Sequence, residues 1–107
     1  MVIGALGGKP EGRVTDFDER VAKVVRSIRK GTVTSYGQVA ASAGAPGGAR
    51  AVVQVLNRLR GLPWWRVIRG DGTLAPEVAP EQARGLRAEG VVVRGRRVEG
   101  ARPLRKW

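Results

Sequence analysis

Residues 62–73, LPWWRVIRGDGT, place two adjacent tryptophans, Trp64 and Trp65, inside a basic stretch. From Arg50 to Arg69 there are five arginines (Arg50, Arg58, Arg60, Arg66 and Arg69) and no acidic residue. The chain has only five aromatic side chains, so two of them side by side in this stretch ask for a reason. Guanidinium groups attract phosphate, and flat indole rings offer a stacking surface to an unpaired base. The combination points to nucleic-acid binding. These ingredients also leave open a blander arrangement, a solvated arginine face over two core tryptophans.

The same composition excludes most covalent chemistry. The chain contains no cysteine and no histidine. That removes thiolate nucleophiles, imidazole general bases, disulfides and Cys/His metal sites, and no metal or cofactor is expected. A lyase or glycosylase would have to draw on Lys30, Asp71 or Glu77, and no pair of these has a recognisable catalytic spacing. The formal charge is +11, and sixteen of the twenty basic residues are arginine. Such a balance favours a polyanionic partner, with DNA or RNA first. No long apolar run or basic amphipathic helix supports a membrane surface. The opening MVIGALGGKPEGRVT lacks the basic lead and apolar length of a signal peptide, so a cytoplasmic, nucleoid-associated location is expected.

A length of 107 residues suggests one domain with a modest core. The glycine-rich residues 1–14 are expected to form a flexible tail, and residues 15–107 the domain. In TDFDERVAKVVRSIRKG, Thr15 is a candidate N-cap, with Asp18 and Glu19 in the first turn. Phe17, Val21, Val24, Val25 and Ile28 make an apolar stripe at helical spacing, and Gly31 is the expected C-cap. After the β-branched Thr32-Val33-Thr34, Ser35 can cap a second helix over Tyr36 to Ala43, closed by Gly44. A turn at APGG leads to a third helix, ARAVVQVLNRLRG. There Val52, Val55, Leu56 and Leu59 face inward, and Arg50, Arg58 and Arg60 outward. After Pro63 the chain looks irregular. PEQARGLRAEG then gives a short helix from Pro80 to Gly90, and VVVRGRRVEG a strand pair or wing around Gly95. The tail ARPLRKW ends in Trp107. The expected fold is mainly α, a winged-helix-like helix-turn-helix DNA-binding domain with a small C-terminal strand pair. Its turn is longer than usual for the motif.

GTVTSYGQVAASAGAPGGARAVVQVL, followed by Pro63-Trp64-Trp65-Arg66-Val67, resembles the DNA-binding domain of O6-alkylguanine-DNA alkyltransferases. More closely, it resembles the alkyltransferase-like proteins. The resemblance runs from about residue 16 to residue 93. Its Ser-Tyr-Gly, Ala-Arg-Ala-Val and Pro-Trp-aromatic-Arg-Val elements are specific when they occur in this order. The transferases carry Pro-Cys-His-Arg-Val, whose cysteine accepts the alkyl group. Here Trp64 stands in the cysteine's place and Trp65 in the histidine's.

The resemblance implies a non-enzymatic protein that enters the minor groove of duplex DNA and rotates O6-alkylguanine out of the stack. The base would enter a lesion pocket built from Tyr36, Trp64, Trp65, Arg66 and Val67. Trp64 would be its flat wall, and Trp65 a packing residue beneath it. Tyr36 would push on the phosphate beside the target nucleotide. Arg50 would be the finger that fills the vacated space. Small Gly48, Ala49 and Ala51 would let the helix backbone approach the groove, and Thr34, Ser35 and Gln38 would supply neutral phosphate contacts. Arg66 would either tie the pocket loop to carbonyls or touch DNA. Glu77, near the pocket, would either accept a hydrogen bond from guanine N2 or stay outside. The implied partners are double-stranded DNA containing O6-alkylguanine and the nucleotide excision repair proteins that respond to it. The protein is expected to act as a monomer. The rival expectation is a winged-helix transcription regulator reading intact DNA, although ARAVVQV offers few base-edge donors beyond Arg50 and Gln54.

Overall fold

The computed structural model describes residues 15–99. The expected N-terminal tail and the segment ending in Trp107 lie outside the described residues. The first helix, α1 (Asp16–Arg26), starts as its sequence requires. Thr15 Oγ1 accepts from the Asp18 amide at 3.0 Å, and Asp18 Oδ2 accepts from the Thr15 amide at 3.2 Å. This reciprocal box satisfies two of the amides that a helix start leaves unpaired. Val21, Val25 and Ile28 are buried, while Phe17 and Val24 are half-buried against them.

The end of α1 differs from expectation. The helix stops at Arg26 and is capped by Ser27, not Gly31. Ser27 Oγ donates back to the Val24 carbonyl at 2.6 Å, and the Ile28 amide bonds the Val25 carbonyl. These bonds tighten the last turn and take up carbonyls that would carry the helix onward. Gly31 sits further on, at φ +88, inside a turn.

The short strand β1 (Thr34–Ser35) runs into α2 (Tyr36–Ser42), whose first turn is capped by Ser35 Oγ accepting from the Gln38 amide. Residues 43–48 then lead to α3 (Ala49–Arg58), completing a helix-turn-helix with the long turn anticipated. Helix α3 is shorter than expected, because Leu59 is already extended. Leu56 and Leu59 are only half-buried. Arg58 does not simply face solvent. Its Nη2 lies 2.6 Å from Asp18 Oδ1 and ties α3 to the start of α1.

The segment after Pro63 is more ordered than its sequence suggested. A 3-10 turn at Trp64–Arg66 leads into β2 (Val67–Ile68). This strand pairs in parallel with β1, Thr34 opposite Val67 and Ser35 opposite Ile68. Successive strand residues point to opposite faces. Val67 therefore joins the core beneath α1, α2 and α3, and Ile68 joins a second core with Leu74, Ala83, Leu86, Val93 and Val98. The second core is covered by α4 (Ala79–Ala88), with Pro80 in its first turn, and by the expected antiparallel pair β3 (Val93–Arg94) and β4 (Arg97–Val98) around Gly95.

Asp18 serves both the α1 cap and the Arg58 pair, and its side chain is 2% exposed. Asp18→Ala is expected to lower unfolding stability by about 1–3 kcal/mol. Urea denaturation followed by tryptophan fluorescence checks this, and an unchanged midpoint would show that the cap and ion pair contribute nothing.

Candidate nucleic-acid interface

A cleft of about 1310 Å³ opens between α3, the start of α2, and the segments around residues 60 and 77. Trp64, Tyr36, Arg50, Val53 and Leu56 line it. Its wall combines apolar surface, one phenol and basic side chains. Burial pushes the Tyr36 phenol above its usual pKa of 10, against the pull of the Arg69 charge, while Glu77 adds to the rise. Tyr36 thus stays protonated at neutral pH and presents a hydroxyl donor.

The two tryptophans part company within one turn. A 3-10 turn has three residues per turn, so Trp64, Trp65 and Arg66 leave the backbone in different directions. The indole planes meet at 81° with centroids 6.3 Å apart. Trp64 borders the cleft. Trp65 turns to α4 and packs against Gly85, where an added Cβ would stand only 3.0 Å from Trp65 Cγ. Its Nε1 donates to Glu89 Oε2 at 2.9 Å, and the Arg66 guanidinium lies 5.7 Å from the centre of its ring.

Glu89 is the fixed point beneath this turn. Its carboxylate accepts from four N–H groups: Trp65 Nε1, Arg66 Nε, Arg66 Nη2 at 2.7 Å and the Gly31 amide at 3.2 Å. Arg66 Nη1 also donates to the Ile28 carbonyl at 2.9 Å. The turn is thereby stapled to the loop after α1 and to the end of α4. The Arg66 hydrogen bond is the main force holding the Glu89 carboxyl down at about 2, with the Trp65 and Gly31 bonds adding to it. One helical turn earlier than Gly85, the buried Gln82 donates through Nε2 to the carbonyls of Trp65 and Val67. Gln82 and Gly85 of α4 and its C-cap residue Glu89 follow one another at helical spacing, so that side of α4 serves to hold the tryptophan turn.

Several expected site residues are placed elsewhere. Tyr36, Ala49, Arg50 and Trp64 line the cleft together. Trp65, Arg66 and Val67 do not: Trp65 faces α4, the Arg66 guanidinium is engaged by Glu89 and Ile28, and Val67 is fully buried in the first core. Thr34 is fully buried, so its hydroxyl is not presented to a phosphate, and Ser35 Oγ is occupied by its own helix cap. Gln38 is half-buried outside the cleft, as are Gly48 and Ala51. Of the candidates for catalysis, only Glu77 borders the cleft. Asp71 accepts instead from the Thr73 amide and hydroxyl, bonds that hold its pKa below the usual carboxylate range.

The sequence reading missed Asn57 and Arg69 as cleft residues, and Gln82, Gly85 and Glu89 as its supports. The helical spacing of the last three was the available signal, but a single-face pattern gains meaning only once its partner turn is known.

The family model described as 6-O-methylguanine DNA methyltransferase, DNA binding domain, matches residues 16–91. The chain is similar to the DNA base-flipping protein of Escherichia coli (strain K12), with 45% identity over 85 residues. The match covers 74% of this chain and 65% of that protein, so the chain spans less than two thirds of that relative's length. A solved structure of Schizosaccharomyces pombe ATL in complex with DNA superimposes with a TM-score of 0.73 at 31% identity, covering 80% of this chain and 90% of the other. A structure of S. pombe Atl1 with damaged DNA containing O6-carboxymethylguanine gives a TM-score of 0.71 at 32% identity, covering 77% and 82%.

A depressed carboxylate pKa contributes stability that is present above its unfolded value, near 4.5 for Glu89, and lost as the pH falls towards about 2. Glu89→Gln offers one acceptor oxygen to donors that now share two. It is expected to lower stability at neutral pH by about 2–3 kcal/mol. It should also flatten the loss between about pH 5 and pH 3 relative to the unsubstituted protein. Urea titrations across that range decide the matter; parallel pH profiles would mean that Glu89 carries no such linkage.

Proposed function

Because the chain belongs to the 6-O-methylguanine DNA methyltransferase DNA-binding domain family, and is alkyltransferase-like within it, we propose that it recognises O6-alkylguanine in duplex DNA without chemical change to the base. The observation that carries this reading is the position of Trp64. It borders a cleft that also contains Tyr36 and Arg50, and we read it as taking the place of the transferases' cysteine in the Pro-Trp-Trp-Arg-Val stretch.

The chain holds no cysteine, so the thiolate that alkyl transfer requires is absent from it. What the residues provide is a binding surface. Helix α3 approaches the minor groove with Ala49 beside the exposed Arg50, and no side chain caps its first turn, which leaves amide donors for phosphate. Arg50 enters the stack and fills the space of the extruded nucleotide. The base lies against the Trp64 indole, a contact worth about 1–3 kcal/mol. An alkyl group on O6 removes the N1 proton and weakens the pair with cytosine, so extrusion costs less for the damaged base. Each buried CH₂ adds roughly 0.8 kcal/mol.

The S. pombe structure with O6-carboxymethylguanine supports damage recognition by this fold. The name of the E. coli relative supports base flipping as the route. A persistent complex on bent DNA is the signal we propose for recruiting nucleotide excision repair.

Fluorescence anisotropy with duplexes that differ only in guanine or O6-methylguanine, at fixed salt, provides the test. Salt is held constant because counterion release alone moves affinity by orders of magnitude. The unsubstituted protein is expected to favour the modified duplex by about tenfold or more, equivalent to about 1.4 kcal/mol. Trp64→Ala and Arg50→Ala should remove most of that preference. Equal affinity for both duplexes would contradict the reading and favour a regulator of intact DNA.

A further inference from the structure

The β1–β2 ladder does more than join two cores. It sets Ser35 against Ile68. One residue beyond that pair on each segment stand Tyr36, the first residue of α2, and Arg69, which leave the ladder at the same end. Both side chains line the cleft.

The backbone of Arg69 is firmly held. Its amide donates to the Thr73 carbonyl at 3.1 Å, and its carbonyl accepts from the Gly72 amide at 2.9 Å. Asp71 braces the same turn through Thr73. The guanidinium, by contrast, is exposed, and none of the three ion pairs among the described residues involves it. Its charge is felt at the Tyr36 hydroxyl more strongly than the opposing charge of Glu77. The rim of the cleft at this point therefore presents a protonated phenol beside an unengaged, donor-only cation.

That pairing suits a singly charged oxyanion that can accept from both groups. Tyr36 is already the residue that the family resemblance sets against the phosphate beside the target nucleotide. We propose that Arg69 joins it and clamps that same phosphodiester, the one about which the extruded nucleotide turns. The inference rests on the base-extrusion reading above. In a stacked duplex the phosphates follow the groove. Only the rotated nucleotide brings its phosphate to the rim of the cleft. Arg69 thus acts on selectivity for damage and not only on general affinity, and it is a phosphate-binding residue of the extruded state.

Arg69→Ala, Arg69→Lys, Tyr36→Phe and the double variant Tyr36→Phe/Arg69→Ala can be compared by anisotropy on guanine and O6-methylguanine duplexes over a series of salt concentrations. Thermal unfolding confirms that each variant is folded. Arg69→Ala should weaken binding to the modified duplex by about tenfold, the loss expected for one charge-assisted hydrogen bond. It should weaken binding to the intact duplex by much less. The salt slope for the modified duplex should become shallower by about 0.9, the value for one phosphate contact. Arg69→Lys should keep that slope, and the double variant should lose less than the two single losses combined.

A tenfold preference for O6-methylguanine that survives Arg69→Ala unchanged overturns the clamp while leaving the base-extrusion reading intact. An equal loss on both duplexes also overturns it and makes Arg69 a general backbone contact. If the unsubstituted protein shows no preference at all, the base-extrusion reading fails, and the clamp fails with it.

Discussion

A single carboxylate organises the centre of this protein. Glu89 receives hydrogen bonds from the Trp65 indole, the Arg66 guanidinium and the Gly31 amide. These donors come from two segments far apart in sequence, the loop after α1 and the tryptophan turn, and the Trp65 and Arg66 donors are part-buried. With the carboxyl held near 2, Glu89 stays charged at any ordinary pH. Removing it would leave the Arg66 cation, itself mostly buried, without its counter-charge. A buried pair broken on one side is far more harmful than one absent from both sides. The orientation of the tryptophan turn, and with it the wall of the cleft, depends on this group.

Around that point the fold divides the work between two neighbouring residues of the same type. Trp65 is a structural residue, packed on Gly85 and hydrogen-bonded through its ring nitrogen. Trp64 is left at the cleft. The immediate reason is local geometry, since a 3-10 turn separates consecutive side chains widely. The deeper reason is α4. Gln82 takes up the carbonyls of Trp65 and Val67, and Glu89 takes up the indole, so the turn cannot roll the second tryptophan into the cleft without breaking both sets of bonds. Strand β2, which carries Val67 into one core and Ile68 into the other, fixes the far end of the same turn.

Much of this was legible in the sequence. The Thr15 and Ser35 caps, the stripes of α1 and α3 and the wing around Gly95 follow from local rules that do not need the rest of the chain. Tyr36, Arg50 and Trp64, singled out by their order, line one cleft. The departures at the site share one cause. Thr34 and Ser35 read as surface hydroxyls, but a parallel partner strand contributed from more than thirty residues away buries them. The resemblance grouped Trp65, Arg66 and Val67 with the pocket, Trp65 as packing beneath it and Arg66 as either a tie to carbonyls or a DNA contact. Trp65 does pack against α4 and Arg66 does bond the Ile28 carbonyl, but Val67 lies in the first core. Their direction is set by Gln82, Gly85 and Glu89, which become visible only when α4 is folded against the turn. Arg69 looked like one more arginine until the β1–β2 register placed it beside Tyr36.

The central claim is that the two tryptophans have separate tasks, one for the ligand and one for the fold. Two-dimensional ¹H–¹⁵N spectra resolve the indole N–H of each tryptophan, with Trp64→Phe and Trp65→Phe variants giving the assignments. Titration with matched guanine and O6-methylguanine duplexes then reads each ring directly. The account predicts that the Trp64 indole signal responds differently to the two duplexes, while that of Trp65, bonded to Glu89, has the same position with both. A Trp65 signal that distinguishes the duplexes, or a Trp64 signal that does not, would contradict it.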